Sequence, residues 1–153
     1  MRAVLQRVLE ARVEVEDKVV GRIGAGILAL IGIAKSDTNA EADYLLDKIM
    51  NLRVFPDDQY KMNRSLMDVA GELLVVSQFT LYGDCRRGRR PSFDDAAPPE
   101  QAIGLYGYFV EQARKRLPVV QTGTFQAAMN VYSVNQGPVT LVCDTPRPVR
   151  TVR

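Results

Sequence analysis

The sequence predicts one α+β domain spanning residues 1–153, a mixed, barrel-like β-sheet with two main helices covering one face. Three observations carry this expectation. Ala11, Val13 and Val15 alternate strictly with Arg12, Glu14 and Glu16, which is the period of a half-exposed strand. The run Ile27 to Ile33 has no polar face and so reads as a strand buried on both sides. Two separate stretches, one after Thr38 and one after Pro98, repeat their apolar residues at helical spacing. At 153 residues and 46% hydrophobic content, the chain can bury a core of this kind without disulfide or metal staples.

Val4 and Val8 begin the first strand, Asp17-Lys18 turns it back, and Val19 to Ile23 returns as its hairpin partner. Gly24-Ala25-Gly26 then punctuates before the buried run. Thr38-Asn39-Ala40-Glu41 has the form of a capping box, and Ala42, Leu45, Leu46, Ile49 and Met50 place a helix from about Ala40 to Leu52. Val54 to Asp58 reads as a loop, because proline holds its predecessor extended and aspartates favour turns. Glu72 to Leu81 reads as a strand. Tyr82 to Pro99, rich in Gly, Pro and Arg, reads as a long functional loop. Pro98-Pro99 opens a second helix whose stripe is Ala102, Tyr106, Phe109, Val110, Ala113 and Leu117, and Pro118 stops it. Alternation at Phe125, Ala127, Met129 and Val131 predicts another strand, and Val139 to Cys143 a last short one before a tail carrying Arg147, Arg150 and Arg153.

The chain contains no histidine, which removes the commonest general base and excludes Ser-His-Asp and Cys-His machinery. Polar chemistry concentrates instead in two short motifs, each following a strand-like run: Ser77-Gln78-Phe79-Thr80-Leu81 and Asn135-Gln136-Gly137-Pro138-Val139-Thr140. Read as a strand, the first puts Gln78 and Thr80 on one face and Ser77 and Phe79 on the other. Backbone N–H groups at a strand end can hold a developing oxyanion, and the ordinary alternative is a strand with Thr80 satisfied by a neighbour. Thr80 is a nucleophile only with an adjacent base, and the nearest carboxylate in sequence is Asp84. In the second motif, proline lacks an N–H, so the carbonyls around it are natural acceptors for an ammonium group. A plain hairpin turn is the competing reading, and trans is the default for the Gly137-Pro138 bond taken by itself.

Arg86, Arg87, Arg89 and Arg90 place four guanidinium groups in a short loop directly after the first motif, a density suited to phosphate. The formal net charge of +2 adds no general demand for a polyanion. Cys85 and Cys143 form neither a disulfide framework nor a zinc pattern and read as buried or incidental thiols. Charge interrupts the N-terminus too early for a secretory signal, and no stretch is long and apolar enough for a membrane span, so a soluble cytoplasmic protein with no metal and no cofactor is expected.

Taken together, Met1 to Val8, Ser77 to Leu81, Arg90-Pro91-Ser92-Phe93, Thr122-Gly123-Thr124-Phe125 and Asn135 to Thr140 resemble the D-aminoacyl-tRNA deacylases of the bacterial and eukaryotic type over nearly the whole chain. The resemblance implies a homodimeric hydrolase that cleaves the ester between a D-amino acid, or mischarged glycine, and the 3′-terminal adenosine of tRNA. It implies a cis Gly-Pro bond whose carbonyls reach into the partner subunit's site, bind the substrate α-amino group and exclude an L side chain. It further implies that Arg7 braces this loop, that Met129 and Phe79 line the adenosine and aminoacyl pocket, and that Ser77, Gln78 and Thr80 form its polar floor. Arg86, Arg87, Arg89 and Arg90 are then candidate tRNA-backbone contacts. Gln136 stands where the family more often has aspartate, and Gln126 and Ala128 where glycine and an acidic residue are common, departures that bear on pocket shape and adenosine fit. The rivals are a non-catalytic nucleic-acid- or metabolite-binding dimer on the same scaffold and a related deacylase with a trans Gly-Pro that accepts small L residues. Arg7 argues against the second by resemblance.

Overall fold

A computed structural model describes residues 1–146; the tail arginines Arg147, Arg150 and Arg153 lie outside the described residues. The spine is the long strand β1 (Arg2–Val15). One of its edges pairs along almost the whole length with β8 (Asn130–Asp144). The opposite edge is shared: β3 (Gly26–Gly32) takes Arg2 to Val8, and β2 (Lys18–Ile23) takes Ala11 to Val15. All three pairings are antiparallel. The turn from β1 to β2 is closed by Glu16 and Asp17 at positive φ.

Beyond β3 the sheet becomes parallel, first with β6 (Glu72–Ser77) and then with β7 (Val120–Thr122). Each parallel step needs a crossover, and these are the two helices. α1 (Asn39–Asn51) leads towards β6 and α2 (Pro99–Arg116) towards β7. Thr38 caps α1 through the predicted box, its hydroxyl and N–H both meeting Glu41. Pro99 opens α2 at its first turn, where a missing N–H costs nothing. The sheet curls until its far edges meet: a Cβ at Gly21 of β2 would overlap the carbonyl oxygen of Thr122 in β7, so this nearly closed barrel tolerates no side chain there.

Strand alternation divides the apolar residues into two layers. Ile27, Ala29, Ile31, Leu73 and Val75 face α1 and α2 with Leu45, Ile49, Phe109 and Ala113. Leu28, Leu74 and Val76 point the other way, into the barrel, with Val8, Val13 and Ile23. The run Ile27 to Ile31 lacks a polar face for this reason: both of its faces are core. Tyr106 of α2 spans the first layer, donating from Oη to the Val75 carbonyl at 2.9 Å, and burial pushes its phenol up to about 12, so it stays neutral.

Four expectations are corrected. Val54 to Asp58 is not wholly loop, because β4 (Phe55–Pro56) pairs with β5 (Met62–Arg64). The strand beginning at Glu72 ends at Ser77, not Leu81, and Phe79–Tyr82 forms a 3-10 turn. Ser77 pairs with Ile31, close to the end of β3, and the chain then folds over Gly32, where a Cβ would stand 3.1 Å from Leu81 Cβ. The alternating stretch from Phe125 is a turn, with Ala127 N–H on the Thr124 carbonyl and Gln126 at positive φ, and extended structure starts at Asn130. Finally, Val139 to Cys143 is the second half of the long β8, so Gly137-Pro138 is not a hairpin turn. Cys143 is half-buried, with burial raising its thiol, whereas Cys85 is exposed; both are free. Among the described residues no helix is long and apolar enough to cross a membrane.

Candidate active site

The Gly-Pro motif is an outward bulge in a continuous strand. Gln6 pairs with Thr140 and Val8 with Asn135, so residues 136–139 of β8 stand opposite Arg7 alone. Four residues against one cannot lie in the ladder, and the excess is pushed out. Asn135 staples the base of the bulge: its Oδ1 accepts from Val139 N–H at 3.2 Å and its Nδ2 donates to Thr140 Oγ1 at 2.9 Å. Arg7 fills the gap beneath, donating from Nε to the Gln136 carbonyl at 3.3 Å and from Nη1 to the Val54 carbonyl at 2.8 Å. One guanidinium therefore ties the bulge to the segment entering β4. The Gly137-Pro138 peptide is cis, as the resemblance implies and unlike the default for such a bond taken by itself, and Gly137 has φ +121°. A Cβ at Gly137 would lie 3.0 Å from both Arg7 Nη2 and Val139 Cγ2. Gly137 and Pro138 are exposed.

The other motif is the turn after β6. Gln78 N–H is held by the Ile31 carbonyl at 2.8 Å, which anchors the turn to the sheet. Because Phe79 and Thr80 open a 3-10 turn, its i→i+3 pattern gives their N–H groups no acceptor within it. Gln78 Nε2 donates to Thr80 Oγ1, so the two side chains do meet, although by a turn and not by a shared strand face. Ser77 and Gln78 are half-buried; Phe79 and Thr80 are exposed. Arg2 closes the far end, donating from Nη1 to the Leu81 carbonyl at 3.2 Å while its Nε is paired with Asp144 at 2.7 Å.

Among the described residues no carboxylate is hydrogen-bonded to Thr80. Asp84 grips Arg86 with both oxygens, at 2.8 and 2.6 Å, and also accepts its N–H. Those hydrogen bonds hold the carboxyl down at about 2. The sign is that of a depressed carboxylate: the interaction is intact above the ordinary carboxylate range and is lost only as pH falls through about 2. Asp84 is thus a weak proton acceptor at neutral pH, already occupied by a cation.

The arginine loop divides accordingly. Arg86 is committed to Asp84, whereas Arg87, Arg89 and Arg90 are exposed and make no hydrogen bond or ion pair among the described residues. Met129 packs with the barrel-side cluster, and a Cβ at Gly123 would lie 2.6 Å from its sulfur. Within one chain, then, Arg7, Gly137 and Pro138 form one group and Ser77 to Thr80 another, and no hydrogen bond joins the groups among the described residues. Sequence reasoning missed Asn135 and Asp84 as organising side chains. Asp84 had a readable signal, a lone carboxylate two residues before Arg86.

Comparisons with known proteins identify the family. The family model described as D-Tyr-tRNA(Tyr) deacylase matches residues 4–144. A D-aminoacyl-tRNA deacylase of Solibacter usitatus is 57% identical over 145 residues, covering 95% of this chain and 96% of that protein. One from Thermosipho melanesiensis is 56% identical over 146 residues, covering 95% and 97%. Among solved structures, the c-Myc DNA unwinding element binding protein superposes with TM-score 0.91 at 44% identity, covering 96% of this chain and 100% of that one. A structure described as a probable eukaryotic D-amino acid tRNA deacylase superposes with TM-score 0.80 at 20% identity, covering 94% and 98%, and supports the fold alone. With a family model spanning nearly all of it and relatives of this identity along its length, the chain belongs to the D-Tyr-tRNA(Tyr) deacylase family.

Proposed function

We propose that this protein hydrolyses the ester between a D-amino acid and the 3′-terminal adenosine of tRNA in the cytoplasm, accepts glycine, and rejects L-amino acids. The observation that carries the reading is the braced bulge at Gly137-Pro138, opposite Arg7. L and D residues expose the same atoms, so only a fixed wall distinguishes them. Main chain held by Arg7 and Asn135 is such a wall. The Gly137 and Pro138 carbonyls receive the substrate ammonium and occupy the space an L side chain requires. Glycine has nothing to collide, so exclusion of this kind admits it.

The bulge acts in the site of a second copy of the chain. β8 offers the surface for that pairing: it is hydrogen-bonded on one edge to β1, and Val131, Tyr132, Val134 and Val142 along it are exposed. The aminoacyl-adenosine lies over Ser77, Gln78 and Thr80, with Phe79 and Met129 as apolar walls. Water attacks the ester carbonyl, activated by the terminal ribose 2′-OH. Backbone N–H groups of the 79–80 turn hold the developing oxyanion, and the C–O bond breaks as the ribose 3′-oxygen takes a proton. With Asp84 locked to Arg86 and Thr80 accepting from Gln78, no base among the described residues is hydrogen-bonded to the threonine. Thr80→Ala is therefore expected to retain measurable turnover of D-tyrosyl-tRNA; complete loss with tRNA binding intact indicates a threonine nucleophile instead.

The reading is tested by charging tRNA with glycine and with L-alanine. Release of glycine with L-alanine left esterified is the expected result, and a dimeric mass in sedimentation accompanies it. The similarity to a protein named for binding a DNA unwinding element favours one rival, a non-catalytic nucleic-acid binder, which leaves both esters intact.

A further inference from the structure

We propose that Phe93, packed against the Phe79 wall of the adenosine pocket, forms with Arg87, Arg89 and Arg90 a second subsite that docks the single-stranded nucleotide preceding the esterified adenosine and its flanking phosphates. This rests on the tRNA ester being the substrate. It adds a surface that reads the acceptor strand and not the amino acid.

The two rings form an edge-to-face pair, with centroids 5.2 Å apart and planes at 68°. Phe79 is 56% exposed and Phe93 37%, so the pair is open to solvent immediately beside Thr80. Core aromatics bury their faces, and here the core has left two of them out. The position is built and not accidental. Gly83 lies beneath Phe93, where a Cβ would stand 3.0 Å from the ring, so the ring seats directly on main chain. Asp84 and Ser92 exchange backbone hydrogen bonds at 2.7 and 3.0 Å, which pinches the arginine loop shut at its base and delivers Phe93 next to Phe79.

That pinch also places the charges. Gly88, at φ +65° with open space around it, turns the loop between its arginines. Asp84 would repel a phosphate, but the Arg86 fork already neutralises it. Arg87, Arg89 and Arg90 remain as exposed cations in the loop whose base leads into Phe93. Flat rings for bases with guanidinium groups for the backbone is the general chemistry of single-stranded nucleic-acid binding, tolerant of base identity. In an aminoacyl-tRNA, the single strand adjoining the esterified adenosine is the penultimate cytidine and the phosphates on either side of it.

The test compares kcat/KM on D-tyrosyl-tRNA with that on 3′-O-D-tyrosyl-adenosine, which lacks the cytidine and every phosphate. Phe93→Leu keeps apolar packing on Gly83 and removes the flat ring, so it separates stacking from folding. It is expected to lower kcat/KM on the tRNA ester about tenfold, through KM, and to narrow the advantage of tRNA over the adenosine ester by the same factor. Replacing Arg87, Arg89 and Arg90 by serine is expected to flatten the salt dependence of KM for the tRNA ester. Equal losses on both esters, or no loss on either, overturn the proposal. Wild-type protein releasing tyrosine from neither ester overturns instead the hydrolase reading on which it rests.

Discussion

Gly137→Ala is expected to lower turnover of D-tyrosyl-tRNA by about a hundredfold or more while the protein stays folded. The residue sits at φ +121°, where an L side chain is strained, and its Cβ would meet Arg7 Nη2 and Val139 Cγ2 at 3.0 Å. The cost to stability is about 1–3 kcal/mol, the range for a residue forced into a sparsely populated backbone region. The larger effect is on the wall itself. To accommodate the methyl group, either the guanidinium moves off the Gln136 carbonyl or the bulge shifts relative to β1. Both displace the two carbonyls proposed to receive the ammonium. Single-turnover hydrolysis at 25 °C, with the melting temperature measured in parallel, checks the expectation. Near-wild-type rates would show that the bulge does not position the substrate.

Phe109→Ala is expected to destabilise the fold by about 3–5 kcal/mol, the usual cost of emptying a fully buried aromatic site, and to lower the melting temperature by about 10 °C. Phe109 is 0% exposed in the layer between the helices and the sheet. That layer faces away from the barrel interior, where Met129 packs. Activity per folded molecule well below the new melting temperature should therefore change little. Calorimetry and an assay at low temperature separate the two quantities. A large loss of activity in fully folded variant would mean that the helical layer shapes the site more directly than its position suggests.

What could be read along the sequence is what local chemistry determines. α1 was legible because Thr38, Glu41 and the stripe from Ala42 to Met50 all act within one helix. The buried run at Ile27 to Ile33 and the proline-opened α2 were legible for the same reason. The errors fall where a distant segment decides. Gln78 to Leu81 has strand-like alternation, but the register of β6 on β3 runs out at Ser77 and Ile31, so the chain turns. Gly137-Pro138 has turn chemistry, yet β8 does not reverse, because β1 continues on both sides to accept it. Locally, a hairpin and a four-residue bulge look alike. β7 and the β4–β5 pair are too short to have a period of their own and exist through their pairing partners.

The candidate site shows the same division. Its polar residues were legible as two motifs, and the missing histidine directed attention to main chain. The organising contacts were not legible: Arg7 to the Val54 carbonyl spans 47 residues, and Asn135 acts across the bulge it closes. Arg86 looked equivalent to its neighbours until Asp84 was seen to hold it.

The most direct measurement is tyrosine release from D- and L-tyrosyl-tRNA side by side at equal enzyme concentration. Rapid cleavage of the D ester with the L ester surviving is the result expected of a fixed main-chain wall. Comparable cleavage of both, or of neither, would contradict it.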